Sequence, residues 1–242
     1  MAPRPWLCAH RGASGIAPEN TLAAVSRAWE LGAGMVEVDL QLTRDGHWVL
    51  FHDTCLERTS SGQGPLHARS LAELRALDAG SWFGPDFQDE RIPTLGELLL
   101  VARGRLRLNL ELKLHGHEDD PADRVVRALE GAALTDRCIL TSFDHDLIAE
   151  LGGRLSARWR LGLIVGAEDW KPELLDRPEA VLSIHHQLAT AERLARIRAA
   201  GKAAHVWTVD DPARWGALRA AGAEVIITNH PEFEADETPS AE

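Results

Sequence analysis

Eight short apolar runs alternate with segments of helical periodicity along this chain, and that alternation restricts the fold more than any other feature. The runs fall at 6–9, 34–40, 107–112, 138–142, 157–164, 181–184, 204–208 and 225–228. Each is brief, rich in aliphatic residues and bounded by polar or glycine-containing stretches, as buried strands are. Helical spacing marks 21–31, 95–102, 121–130, 145–151, 191–200 and 212–221. Asn20, Thr94 and Asp211 are placed to cap helices, because their side chains can accept from the free amides of a first turn. Gly32, Gly131, Gly152, Gly201 and Gly222 stand where the helices should stop. Short connections repeated this often predict an α/β fold of parallel strands covered by helices, and eight such strands close a (β/α)8 TIM barrel. An open, doubly wound sheet is the alternative, but no glycine-rich dinucleotide loop follows the first strand.

Two departures from the repeat are readable. The residues around Asp45-Gly46 alternate on both sides of a pair favoured in tight turns, which predicts a hairpin with 48–51 as return strand and Asp39 opposite His52. The pattern then weakens over 54–93, read as a small insertion after the second barrel strand, with one helix near 71–77. Trp82-Phe83 within it would either wall a site or anchor a satellite core. The stretch after Phe233 is acidic and contains Pro and Ser, the composition of a loosely ordered tail.

At 242 residues the chain suits one compact domain, 1–242, and no boundary within it is evident. A formal charge of -11 disfavours nucleic acid and anionic membrane, which reward clustered Lys and Arg. Cys8, Cys55 and Cys138 are odd in number and scattered, so no disulfide framework or zinc knuckle is expected. With no secretory leader and no apolar run near the roughly 20 residues of a membrane helix, the cytoplasm is the expected location, without membrane insertion. Homo-oligomerisation is left open.

The chemistry-bearing residues gather at predicted strand ends. His10, Asp39, Glu111 and Trp207 all lie there, where barrel enzymes carry their sites. Glu37 and Asp39 are two apart and share one face of a strand, and Glu111 follows a similar apolar run. Inward-pointing acids near a barrel rim are unfavourable unless paired or bound to a cation, and an all-oxygen set suits Mg²⁺ or Ca²⁺. Salt bridges are the competing reading, with Lys113 able to neutralise Glu111. His10 and His52 titrate near neutrality and suit proton removal and supply. Arg11 offers a planar fork to phosphate oxygens.

In order and spacing, His10-Arg11-Gly12, Pro18-Glu19-Asn20-Thr21, Glu37-Val38-Asp39, Thr43-Arg44-Asp45-Gly46, Phe51-His52-Asp53, Asn109-Leu110-Glu111-Leu112-Lys113, Ser142-Phe143, Val206-Trp207-Thr208-Val209 and Thr228-Asn229-His230-Pro231 resemble the glycerophosphodiester phosphodiesterase family over nearly the whole chain. The resemblance implies a distorted (β/α)8 barrel with an insertion after the second strand and one divalent cation held by Glu37, Asp39 and Glu111. It implies catalytic histidines at His10 and His52, with phosphate engaged by Arg11 and Lys113. The implied reaction is hydrolysis of a small glycerophosphodiester to sn-glycerol 3-phosphate and an alcohol, through a cyclic phosphate or by direct attack of water. Trp207 is expected either beside the glycerol moiety or in core packing. One departure stands out: the family's usual Thr-Asp-x-Pro is Thr228-Asn229-His230-Pro231 here, which removes a charge. Three competing classes remain, namely a lysophospholipase D-like phosphodiesterase with an apolar channel, a metal-dependent sugar-phosphate barrel enzyme, and a non-catalytic binding protein.

Overall fold

In a computed structural model of the protein, which describes residues 4–129 and 137–233, eight parallel strands form a closed barrel. They are β1 (Arg4–His10), β2 (Ala33–Leu42), β4 (Arg107–Leu112), β5 (Cys138–Ser142), β6 (Arg160–Val165), β7 (Val181–His185), β8 (Ala203–Trp207) and β9 (Val225–Thr228). Each pairs with the next, and β1 closes the ring by pairing with both β2 and β9. β3 (Trp48–Leu50) lies antiparallel on β2, outside the ring. The expected strand-by-strand order is therefore present, with the hairpin as an added strand.

Side-chain alternation sorts each strand into two layers. Cys8, Met35, Ile139, Val181, Ala203, Val225 and Ile227 fill the barrel interior. Their neighbours, such as Leu7, Val36, Leu108 and Leu140, face outward into a larger core shared with the helices. Burial on both faces is why these strands read as nearly continuous apolar runs. The helices are α1 (Leu22–Glu30), α2 (Leu71–Arg75), α3 (Leu95–Ala102), α4 (Pro121–Leu129), α5 (His145–Arg154), α6 (Ala191–Ala199) and α7 (Trp215–Ala221). Between β6 and β7 a single 3-10 turn, Pro172–Leu175, replaces a helix. Thr94 caps α3 in a reciprocal pair with Glu97, and Asp211 caps the 3-10 turn that leads into α7.

Several local expectations require correction. Thr21, not Asn20, caps α1, its hydroxyl accepting from Ala24 N at 3.2 Å. Gly152 does not stop α5, which continues to Arg154. The hairpin uses a longer loop than predicted: Gly46 is left-handed at φ +83° and donates to Thr43 O, while Thr43 N donates to His47 O. Three residues, not two, turn the chain, and the register moves by one, so that Asp39 lies opposite Phe51, whose N–H donates to Asp39 O at 3.0 Å. His52 is thereby the residue after Phe51, the last whose backbone N–H bonds across to β2. The predicted stop at Gly131, the end of the helix expected over 121–130 and the acidic tail after Phe233 lie outside the described residues.

Between β3 and α3, Leu56, Leu66, Leu74 and Ile92 pack with Val49 and Phe51 in a small separate core. Trp82 and Phe83 neither join that core nor line the cleft described below. They stack edge to face on each other at 5.5 Å, and Phe83 does the same with Phe87.

Candidate active site

The C-terminal ends of the barrel strands bring the predicted residues together by register. His10 pairs with Glu37 across β1 and β2, and Asp39 with Glu111 across β2 and β4. His10, Arg11, Glu37, His52, Glu111, Lys113 and Trp207 line a cleft of about 170 Å³ at this mouth. Asp39 is buried beside it, 1% exposed. A larger, open hollow of about 520 Å³ lies on the outer wall among Gly46, Thr94 and Arg124, but no carboxylate lines it.

After β1 the backbone turns sharply. Arg11 and Asn20 are left-handed at φ +56° and +57°, an uncommon state for residues with a side chain that marks a constrained site. Gly12, at φ +82°, has no room for a Cβ, which would lie 2.6 Å from the Ala24 backbone. This turn aims Arg11 N at Glu37 Oε2, 3.0 Å away.

Glu37, Asp39 and Glu111 each place an oxygen within 4.8 Å of the others. Burial, reinforced by the charge on Asp39, pushes Glu37 up to about 8 and Glu111 up to about 7. Burial would also raise Asp39, but Lys113 and then Arg11 outweigh it and hold that carboxyl below its usual range. Lys113 Nζ lies 3.2 Å from Asp39 Oδ1 and also bonds Glu111; Arg11 Nε lies 3.3 Å from Asp39 Oδ2. Salt bridges thus account for Asp39 and one oxygen of Glu111. They leave Glu37 Oε1 buried without a hydrogen-bond partner. Three converging carboxylates, two disfavoured when charged and one with an orphaned oxygen, fit a single hard divalent cation such as Mg²⁺ or Ca²⁺.

Each histidine is oriented through Nδ1. His10 Nδ1 lies 2.7 Å from Asn229 Oδ1, an acceptor, so that nitrogen carries the proton and Nε2 is left facing Glu37 at 3.8 Å. His52 Nδ1 bonds the carboxylate of Asp53 at 2.6 Å. Burial lowers the pKa of both rings. Arg11 adds to this at His10; at His52 Asp39 pulls the other way, while Arg11 and Lys113 lower it further.

Several participants were given no role at the site from the sequence, although Glu19, Asn20 and Phe143 fall within the motifs that carry the resemblance. Asn20, expected as a helix cap, instead grips Asp39: its Nδ2 donates to Oδ2 at 2.8 Å and its Oδ1 accepts from Asp39 N at 3.1 Å. Arg58, from the segment after β3, donates to Glu19 at 2.7 and 2.8 Å and to both oxygens of Asp53. Glu19 in turn accepts from Arg11 at 2.8 Å. Phe143, 49% exposed, meets Trp207 edge to face at 5.7 Å on the rim. Trp207 Nε1 donates to Ser183 O at 3.0 Å, which fixes its plane.

The family model described as "Glycerophosphoryl diester phosphodiesterase family" matches residues 10–233, from the first of these histidines to beyond Asn229. The chain belongs to this family. A glycerophosphodiester phosphodiesterase of Caldanaerobacter subterraneus is 36% identical over 93% of each chain. The solved structure of an Oleispira antarctica phosphodiesterase in complex with the product sn-glycerol-3-phosphate is 35% identical, covers 94% of both chains and superposes with a TM-score of 0.87. A glycerophosphodiester phosphodiesterase structure from Thermotoga maritima is 26% identical over 96% of this chain and 97% of that one, with a TM-score of 0.78. Among the described residues of this family member, no helix is long and apolar enough to cross a membrane.

Proposed function

We propose that this phosphodiesterase cleaves glycerophosphodiesters to sn-glycerol 3-phosphate and an alcohol, with Glu37, Asp39 and Glu111 holding one divalent cation. The observation that carries this reading is the convergence of that carboxylate cluster with two oriented histidines in one cleft of a family barrel. The bound ion would offset negative charge on the phosphoryl oxygens. Arg11 and Lys113, on opposite sides of Asp39, would supply donors to the same oxygens.

His10 presents Nε2 as an acceptor and would take the proton from the attacking hydroxyl. His52, bonded to a carboxylate where His10 is bonded to an amide, is the better ring to carry a proton to the leaving alcohol. Trp207 would pack against the glycerol. The cleft is smaller than the ~300–1,000 Å³ of pockets for drug-sized ligands, which favours a headgroup over an acyl chain.

We read residues 1–242 as one barrel domain with 54–93 inserted, since the satellite core of that segment is continuous with β3. A cytoplasmic location belongs to the same reading, supported by the free thiols of Cys8 and Cys55. The test is to incubate the protein with glycerophosphocholine, glycerophosphoethanolamine, glycerophosphoglycerol and lysophosphatidylcholine, with Mg²⁺ or Ca²⁺, and analyse products. Release of sn-glycerol 3-phosphate from the first three is expected. Turnover of the lysolipid alone, or of nothing, would reject the assignment.

A further inference from the structure

The amide that orients His10 is itself held by a carboxylate from the next loop. Asn229 Nδ2 donates to Asp210 Oδ2 at 2.7 Å, and Asn229 N donates to Asp210 Oδ1 at 2.8 Å. Thr228 Oγ1 donates to the same Oδ1 at 3.0 Å. On the other side, Asn229 Oδ1 accepts from Ser14 Oγ at 2.9 Å and meets His10 Nδ1. Asp210 follows β8, Asn229 follows β9 and His10 ends β1, three neighbours around the barrel.

An amide side chain alone has two orientations of nearly equal shape, one with its oxygen toward His10 and one with its NH₂ there. An ionised carboxylate only accepts, so Asp210 selects the first. With oxygen toward His10, Nδ1 must carry the hydrogen and the lone pair of the neutral ring is on Nε2, the nitrogen facing the cleft. The opposite orientation would place an N–H donor against Nδ1 and move the ring proton to Nε2, where it would block proton uptake. The negative charge absent at Asn229 is thus present one hydrogen bond further from the histidine.

We propose that Asp210 is a positioning residue that acts through Asn229 to fix the tautomer of His10. The consequence for turnover rests on the proposed role of His10 as proton acceptor, whereas the tautomer itself does not. In Asp210→Asn, ¹⁵N NMR of the His10 ring should change from a single Nδ1–H tautomer to a mixture. The kcat should fall at least about tenfold, while KM for glycerophosphocholine changes less than about twofold. In Asp210→Asn/Asn229→Asp, the carboxylate would accept directly from His10 Nδ1 and from the new amide, so tautomer and kcat should both return to within about fivefold of the parent. Thr228→Val removes another bond to Asp210 but leaves Asn229 anchored, and should keep the Nδ1–H tautomer. The proposal is overturned if Asp210→Asn keeps the parental ring spectrum, or if the exchanged pair fails to restore it. Should the single variant not fold, the exchanged pair decides alone, and a mixed tautomer there refutes the proposal. A restored spectrum without hydrolysis of any diester would count against the proposed activity and leave the positioning role intact.

Discussion

Removing the divalent cation should make this protein less stable as pH rises through neutrality, and the size of the effect follows from two carboxyls. Glu37 is raised from 4.5 to about 8 and Glu111 from 4.5 to about 7. In the unfolded chain both are ionised well below neutral pH, so between about pH 4.5 and 8 the folded state binds more protons. Stability therefore falls with rising pH across that range, by about 1.4 kcal/mol per pH unit for each group still protonated only in the fold. Depressed groups act in the opposite sense: Asp39 reaches its full contribution by about pH 5, whereas the buried His10, His52 and His205 each still gain up to ~0.4 kcal/mol above about pH 6.5, and the more exposed His115 and His185 less. Over a window from about pH 6.5 to 8.5 the two glutamates outweigh that opposing gain. Over it Glu37 contributes a loss of ~2 kcal/mol and Glu111 less than ~1 kcal/mol. Net of the histidines, that lowers Tm by roughly 2–6 °C for a chain of this length. The assay is calorimetry of EDTA-treated protein at steps across the window, repeated with saturating Mg²⁺ or Ca²⁺. Cation should flatten or reverse the slope by binding the ionised cluster. Glu37→Gln should abolish most of the slope and raise the metal-free Tm at the alkaline end, while eliminating turnover. A metal-free Tm that is flat or rising between about pH 6.5 and 8.5 would refute the reasoning, as would a Glu37→Gln protein that retains the parental slope.

Two further outcomes follow from the contacts around the cleft. Arg58→Ala should lower kcat/KM about tenfold by freeing both Asp53 behind His52 and Glu19 behind Arg11. Its effect on unfolding in urea should stay near ~1 kcal/mol because the guanidinium is partly exposed, and Arg58→Lys should recover only part of the activity because it cannot bridge two carboxylates in the same way. Trp207→Ala, checked for folding by far-UV circular dichroism, should lower kcat/KM in equal proportion for the choline, ethanolamine and glycerol diesters. Loss on one alcohol alone would move Trp207 to the leaving-group side, and no loss would reduce it to packing.

The eight-strand alternation was legible because burial on both faces leaves apolar runs that local sequence must carry. The acids were legible because each interrupts such a run on the inward parity, as Glu37, Asp39 and Glu111 do. Loop geometry was harder to read: Asp45-Gly46 is compatible with both a two-residue and a three-residue turn, and only pairing against β2 distinguishes them. Asn20 read as a cap because a short amide before a helix has that role locally, whereas its partner, Asp39, is 19 residues away. Arg58 and Asp210 belong to loops with no periodicity, and their bonds to Glu19 and Asn229 connect segments whose proximity exists only once the barrel is closed.

That β1 is held between β2 and β9 has a consequence for synthesis. The ring opens at the first strand, and the group that orients His10 lies 219 residues downstream. A chain emerging from the ribosome can pair β1 with β2 early and gather the acidic cluster once β4 follows, but His10 stays unheld until Asn229 has been made. Hydrolytic competence should therefore appear abruptly once Asn229 has been made and placed, after the polypeptide has committed to its native topology, and products terminated before Asn229 should be silent toward the cell's phosphodiesters.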